Sequence, residues 1–184
     1  MPCLDVAGVS RILIIAGGAR GRALGGNLVT QGHAVRITTR EEAGRGAIEA
    51  VGAECWIGTP DRIATLRYAL EGVSLACWLL GNACGDARAL RALHGSRLEF
   101  FVSQTIDTTI RGLVYEAAGS VAPEILAAGR ALIVEKAAFN AIALEVLDAD
   151  PRDLDRWSEQ AGAVIERLLS GSGARYTGGS PLIP

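Results

Sequence analysis

The stretch Arg11-Ile12-Leu13-Ile14-Ile15-Ala16-Gly17-Gly18-Ala19-Arg20-Gly21-Arg22-Ala23-Leu24-Gly25 decides how the chain is read. Residues 12–15 form a short unbroken apolar run ending in glycines, the pattern of a strand buried on both faces. A helix is expected over 20–31, with Ala23, Leu24 and Leu28 on one face and Gly32 as its stop. Between strand and helix, Ala16, Gly18 and Gly21 occupy the three small-residue positions of a G-x-G-x-x-G loop, with alanine in the first place and Gly17 beside it. A loop of this spacing suits phosphates. Its middle glycine lets backbone approach closely, its last lets helix pack on strand, and the helix N-terminus offers unpaired N–H groups and a partial positive charge. The rival is a glycine-rich turn with no ligand; the strand before the loop and the helix after it favour the phosphate reading.

The same alternation continues along the chain. Further strands are expected at 34–38, 54–57, 74–80, 98–102 and 142–147, and helices at 41–51, 60–70, 86–93, 123–140 and 154–169. Six short apolar strands separated by helices imply an α/β domain, a doubly wound parallel sheet with helices on both faces. Right-handed crossovers favour the strand order 3-2-1-4-5-6. The domain is expected over 11–169, after a leader at 1–10 and before a flexible tail at 170–184 rich in Gly, Ser and Pro. A long loop is expected at 104–122, directly after the fifth strand, where such sheets put their chemistry.

With 184 residues, 49% hydrophobic and 21% charged, the chain suits one domain with a sizeable core and is neither disordered nor fibrous. A net charge of −2 lacks the basic excess that nucleic-acid binding needs. Apolar stretches such as 73–80 fall far short of the roughly 20 residues of a membrane span. The first residues lack a basic start and a long apolar centre, so a cytoplasmic protein is expected. Cys3, Cys55, Cys77 and Cys84 form no CxxC pair and read as reduced thiols. With only His33 and His94 in the chain, no metal site is expected. The 18 basic residues include a single lysine, Lys136, and alanine and glycine abound, a bias expected of a GC-rich bacterial genome.

The second strand ends in Thr38-Thr39-Arg40, with no acid where one would bind the ribose 2′-hydroxyl of NAD. Hydroxyls and a guanidinium suit a 2′-phosphate instead, so NADP(H) is expected over NAD(H). Glu41 and Glu42 come one step late, where they suit the first turn of the next helix. The alternative for Arg40 is a solvated surface residue. Arg20 and Arg22 add positive charge in the loop, and each either touches a phosphate or points to solvent.

Three segments together resemble the atypical short-chain dehydrogenase/reductase group, NAD(P)-binding Rossmann proteins of the nucleoside-diphosphate-sugar epimerase-like kind. They are 17–24, 32–40 and Cys77-Trp78-Leu79-Leu80-Gly81, within a likeness that covers roughly 11–150. The resemblance assigns the cofactor to Gly17, Gly18, Ala19, Arg20, Gly21, Thr38, Thr39 and Arg40, with Leu80 and Gly81 over its adenosine half. Active members of the wider family use a Tyr-x-x-x-Lys pair, and here Leu132 stands four residues before Lys136. The substrate-capping domain of the sugar-nucleotide branch is also not expected, since one helix and a tail follow Asp150.

By the same resemblance Ser103 occupies the place of the family's substrate-polarising serine. Gln104, Thr105, Asp107, Thr108 and Thr109 follow it, then Arg111 and Tyr115. If this stretch is helical, Arg111 shares a face with Tyr115 and lowers its phenol pKa, making a substitute acid. Turn chemistry for the threonines and simple packing for the tyrosine are the rivals. Two functions follow: an NADP(H)-dependent reductase of a small carbonyl or quinone-like substrate, with Ser103 and Tyr115 as catalytic candidates, or a non-catalytic NADP(H)-binding sensor or assembly subunit. A homodimer would cover the long loop. A nucleotide-sugar epimerase ranks last.

Overall fold

In the computed structural model, which describes residues 9–173, all six strands lie in one parallel sheet. They are β1 (Arg11–Ile15), β2 (Ala34–Thr39), β3 (Glu54–Ile57), β4 (Leu75–Trp78), β5 (Gly112–Glu116) and β6 (Ala143–Leu147). Their order is β3-β2-β1-β4-β5-β6, the doubly wound order expected from the alternation. The two central registers set Ile14 of β1 against Ile37 of β2 and Cys77 of β4.

Strand alternation divides the core into two layers. Ile12 and Ile14 point toward helices α1 (Ala19–Thr30) and α6 (Leu154–Leu169), meeting Leu24, Leu28, Val164 and Ile165. Leu13 and Ile15 point the other way, toward α4 (Leu98–Thr105) and α5 (Pro123–Phe139), meeting Phe101, Val102 and Ile133. Both layers are dry at their centres, and each large side chain so buried contributes roughly 1.5–3 kcal/mol. Gly25 brings α1 close to the sheet: a Cβ there would come within 2.6 Å of Ile37 Cδ1.

The fifth strand is a correction. Residues 98–102, expected as a strand, are the first turns of α4, and β5 lies inside the expected loop 104–122. The buried positions of α4 are Leu98, Phe101, Val102 and Thr105, a helical spacing, while Glu99 and Phe100 face out. The apolar, aromatic composition of that run suggested a strand; its period is a helix's. Conversely, all five residues of β5 are buried, and a closing Tyr-Glu pair disguised it as polar.

Smaller corrections concern the helices. Residues 41–51 are a 3-10 turn, Glu42–Gly44, followed by the short α2 (Arg45–Glu49). Residues 60–70 are two 3-10 turns, Ile63–Leu66 and Tyr68–Leu70. Asp86 caps α3 (Ala87–Ala92), accepting from Ala89 N at 2.7 Å. The helix expected over 86–93 ends where expected: in the π turn Leu93–Arg97 the backbone leaves helical values at Gly95 (φ −115°, ψ −107°), and this kink separates α3 from α4. Asp153 caps α6, while Asp150 bonds Arg152 and Asp148 pairs with Arg130. The leader and tail fall mainly outside the described residues, as does Cys3. Among the described residues, no helix is long and apolar enough to cross a membrane.

The π turn buries His94, whose Nδ1 lies 2.8 Å from the Tyr115 hydroxyl. Burial pushes its imidazolium below the ordinary range. A histidine that resists protonation when folded but accepts a proton when unfolded removes stability as pH falls below its unfolded value of about 6.5. The loss stops below the folded pKa, where both states carry the proton. In denaturant titrations, stability should decline as pH drops from 7 to 5, and His94→Asn should flatten that decline.

Candidate functional site

Two clefts meet above the carboxyl end of β1. The first, about 350 Å³, runs over the end of β2 and is lined by Gly17, Gly18, Thr38, Thr39, Arg40 and Leu80. The second, about 460 Å³, runs toward the end of β4 and adds Ala19, Arg20 and Gly21 to Gly17, Gly18, Arg40 and Leu80. Together they collect nine of the ten residues expected at the cofactor; Gly81 lies beside them and is not part of either lining.

Each glycine of the loop has surroundings of its own. A Cβ on Gly17 would sit 2.6 Å from Thr38 O, so Gly17 presses the loop onto β2. A Cβ on Gly21 would sit 1.9 Å from Ala16 O, so Gly21 permits α1 to start against the strand it follows. Gly18, the N-cap of α1, has open space where its Cβ would be, and no side chain caps the helix. The first turn of α1 therefore presents backbone N–H groups and the positive end of its dipole to an open cleft, a fit for a pyrophosphate. Arg22 is turned away from such a role: its guanidinium donates to Gly17 O at 2.6 Å and braces the loop.

At the end of β2 the Thr38 residue is buried and the Arg40 side chain is 64% exposed. Asp61, from the segment after β3, lies 3.8 Å from Arg40 and is held by Arg97 at 2.5 Å. The sequence reading missed Asp61, because only tertiary structure brings it to this cleft.

Arg20 neither lies in solvent nor extends freely into the cleft. It pairs with Glu116, a fully buried carboxylate at the end of β5, and its guanidinium stacks 4.8 Å from the Trp157 ring of α6. Glu116 also accepts from Gly81 N at 2.7 Å and from Trp157 Nε1 at 2.9 Å. Nothing in the sequence flagged Glu116 or Trp157 as neighbours of the loop.

Ser103 and Tyr115 stand elsewhere. Ser103 is in α4 rather than after a strand, and its hydroxyl donates to Phe100 O at 2.6 Å. Tyr115 is fully buried in β5, between His94 and Leu126 O, and burial pushes its phenol well above the ordinary range. Because residues 112–116 are a strand, the expected helical pairing of Arg111 with Tyr115 does not form. Neither residue lines either cleft. Lys136 pairs with Glu99 at 2.7 Å on α5's outer side.

A third cavity, about 730 Å³, opens beyond the ends of β5 and β6 and shares Asn82 with the second cleft. Its walls include Ala117, Ala118, Val121 and Leu126, with Arg130 and Arg152 toward its rim. Asn82 joins the loops after β4 and β5, accepting from Ser120 N at 2.7 Å.

No family model matches the sequence, and no curated protein matches it. Solved structures do. BdcA from E. coli superposes with a TM-score of 0.67 at 15% identity, over 86% of this chain and 90% of that one. Pen from Bacillus thuringiensis gives 0.60 at 15% identity, over 71% and 47%. The UDP-glucose 4-epimerase of Thermotoga maritima gives 0.60 at 10%, over 74% and 54%. The chain spans about half the length of the last two. At such identities the likeness is one of fold.

The loop geometry separates two glycines by outcome. Gly18→Val should leave the melting temperature near the wild-type value, because the new side chain enters open space. Gly21→Val should cost about 1–3 kcal/mol or more, because its Cβ meets backbone. Thermal melts of both variants check this.

The strands that place these residues, their order and the cleft they leave are those of a Rossmann-type doubly wound α/β fold.

Proposed function

We propose that this chain binds NADP(H) in the joined clefts over β1 and β2 and uses it to reduce a small carbonyl or quinone-like substrate. The observation that carries the reading is the open face of Gly18 at the uncapped start of α1, next to a strand end bearing Thr38, Thr39 and Arg40, with Glu41 and Asp61 on the same cleft. The pyrophosphate would meet the α1 amides, and the 2′-phosphate the threonine hydroxyls and Arg40. The cofactor supplies the hydride when bound. The chain's own residues bind and orient: the cavity sharing Asn82 with the cleft suits a compact substrate, with apolar walls at Ala117, Val121 and Leu126 and charged ones at Arg130, Asp148 and Arg152. Among the solved structures of this fold is an NADPH-dependent quinone oxidoreductase from E. coli, 15% identical with a TM-score of 0.54 over 75% of this chain and 46% of that one, which supports the reading by analogy.

A second reading, a non-catalytic NADP(H) sensor or assembly subunit, is favoured by the Leu132–Lys136 spacing, which supplies no Tyr-Lys pair. Purified protein incubated with NADPH and a panel of carbonyls and quinones separates the two. Consumption of NADPH with any of them supports the reductase, and binding without turnover supports the sensor. Gly18→Val should abolish NADPH binding in calorimetry, and unchanged affinity would remove the site from this loop.

Cofactor preference follows from charge. A charge-assisted hydrogen bond is worth roughly 1.5–3 kcal/mol, or about ten- to a hundredfold in affinity. The exposure of Arg40 and its neighbour Asp61 place the expected NADPH preference near the lower end. Arg40→Ala should weaken NADPH binding about tenfold and leave NADH almost unchanged. Asp61→Asn should move NADPH the other way. Equal affinities of the wild type for both cofactors would return Arg40 to the surface.

A further inference from the structure

We infer that Glu116 and Trp157 are positioning residues for the anion-binding face of Arg20, so that a buried carboxylate strengthens the binding of an anionic cofactor. The inference rests on the proposed cofactor reading and deepens it. Arg20 belongs to the first turn of α1 and lines the second cleft, with its side chain 18% exposed. Its side chain is held from two directions. Nη1 donates to Glu116 Oε1, and Nη2 lies 3.4 Å from Oε2. The Trp157 ring lies beneath the guanidinium plane, and Trp157 Nε1 donates to the same Glu116 Oε1.

A guanidinium has five N–H donors in a fixed fork. With one edge committed to the carboxylate, further N–H donors remain on a side chain that lines the same cleft as Gly18 and Ala19. The side chain loses little freedom on binding a phosphate oxygen, because Glu116 and Trp157 have already ordered it. Glu116 is fully buried and its oxygens take donors from Arg20, Gly81 and Trp157, so its carboxylate is committed to the protein rather than to the cleft.

This arrangement predicts an effect opposite in sign to simple charge. Glu116→Gln removes a negative charge close to a phosphate site, which by Coulomb attraction alone tightens an anion. If Glu116 acts by holding Arg20, the same change weakens it. Calorimetric titration of the full chain with NADPH and with NADH, alongside thermal melts, decides between them. Glu116→Gln should weaken both cofactors about tenfold, since the pyrophosphate is common to both. Arg20→Lys keeps the charge but loses the fork and the stacking, and should weaken both by a similar factor. Combined with Glu116→Gln it should add almost nothing further.

Unchanged or tighter binding by Glu116→Gln overturns the inference and leaves the cofactor reading intact, as does a lowered melting temperature with wild-type affinity. If Glu116→Gln does not fold, Arg20→Lys carries the test, and wild-type affinity in that variant overturns the inference. Wild-type protein that binds neither cofactor overturns the cofactor reading and this inference with it.

Discussion

A fully buried carboxylate at the end of β5 holds together the side of this molecule on which the clefts open. Taking Glu116 out of water costs several kcal/mol unless its oxygens are met by donors, and three elements supply them. Arg20 comes from α1, Gly81 N from the loop after β4, and Trp157 from α6. Removing one partner of such a pair typically costs about 3–5 kcal/mol, because the other charge is left buried. The start of α1, the loop after β4 and the first turn of α6 are thereby fixed to β5. The clefts open on the surface these elements share.

Around that anchor, backbone contact sets the shape. Gly17 meets Thr38 O, Gly21 meets Ala16 O, and a Cβ on Gly119 would sit 1.9 Å from Gly81 O. The loop after β1 thus touches the main chain of β2, and the loops after β4 and β5 touch each other, while Gly18 faces open space. An apolar sheet below and a polar loop layer above leave the N-terminus of α1 as the local source of positive potential, reinforced by Arg20 and Arg40. Asp61 tempers the Arg40 end, so the cleft is graded in charge rather than uniformly basic.

The chemistry at this site is sparse in titratable groups. Tyr115, the side chain with the most suggestive place in the sequence, is spent on the core: its hydroxyl joins His94 to Leu126 O across the strand–helix boundary. A phenol raised by burial makes a poor proton donor at neutral pH. Neither Tyr115 nor Ser103 lines the clefts, so the polar groups that face them are chiefly those of the glycine loop, the end of β2 and Arg20.

The sequence by itself determined the parallel sheet, its strand order and the glycine-rich turn between β1 and α1. Local periodicity and glycine spacing carry those, and the crossover rule leaves few alternatives. It did not determine the fifth strand. Leu98, Phe101 and Val102 could be counted as a run or as a helical face, and Gly112 to Glu116 ended in polar residues whose burial depends on partners far away. Tertiary structure alone decided that Glu116 meets Arg20, that Asp61 stands by Arg40, and that Ser103 lies on a helix away from the clefts. Glu116 and Arg20 are 96 residues apart, and no local pattern encodes a pairing made only when α1 and β5 dock on the same sheet. The energy of that contact arises from excluding water around a charge, and exclusion exists only after the chain has closed over it.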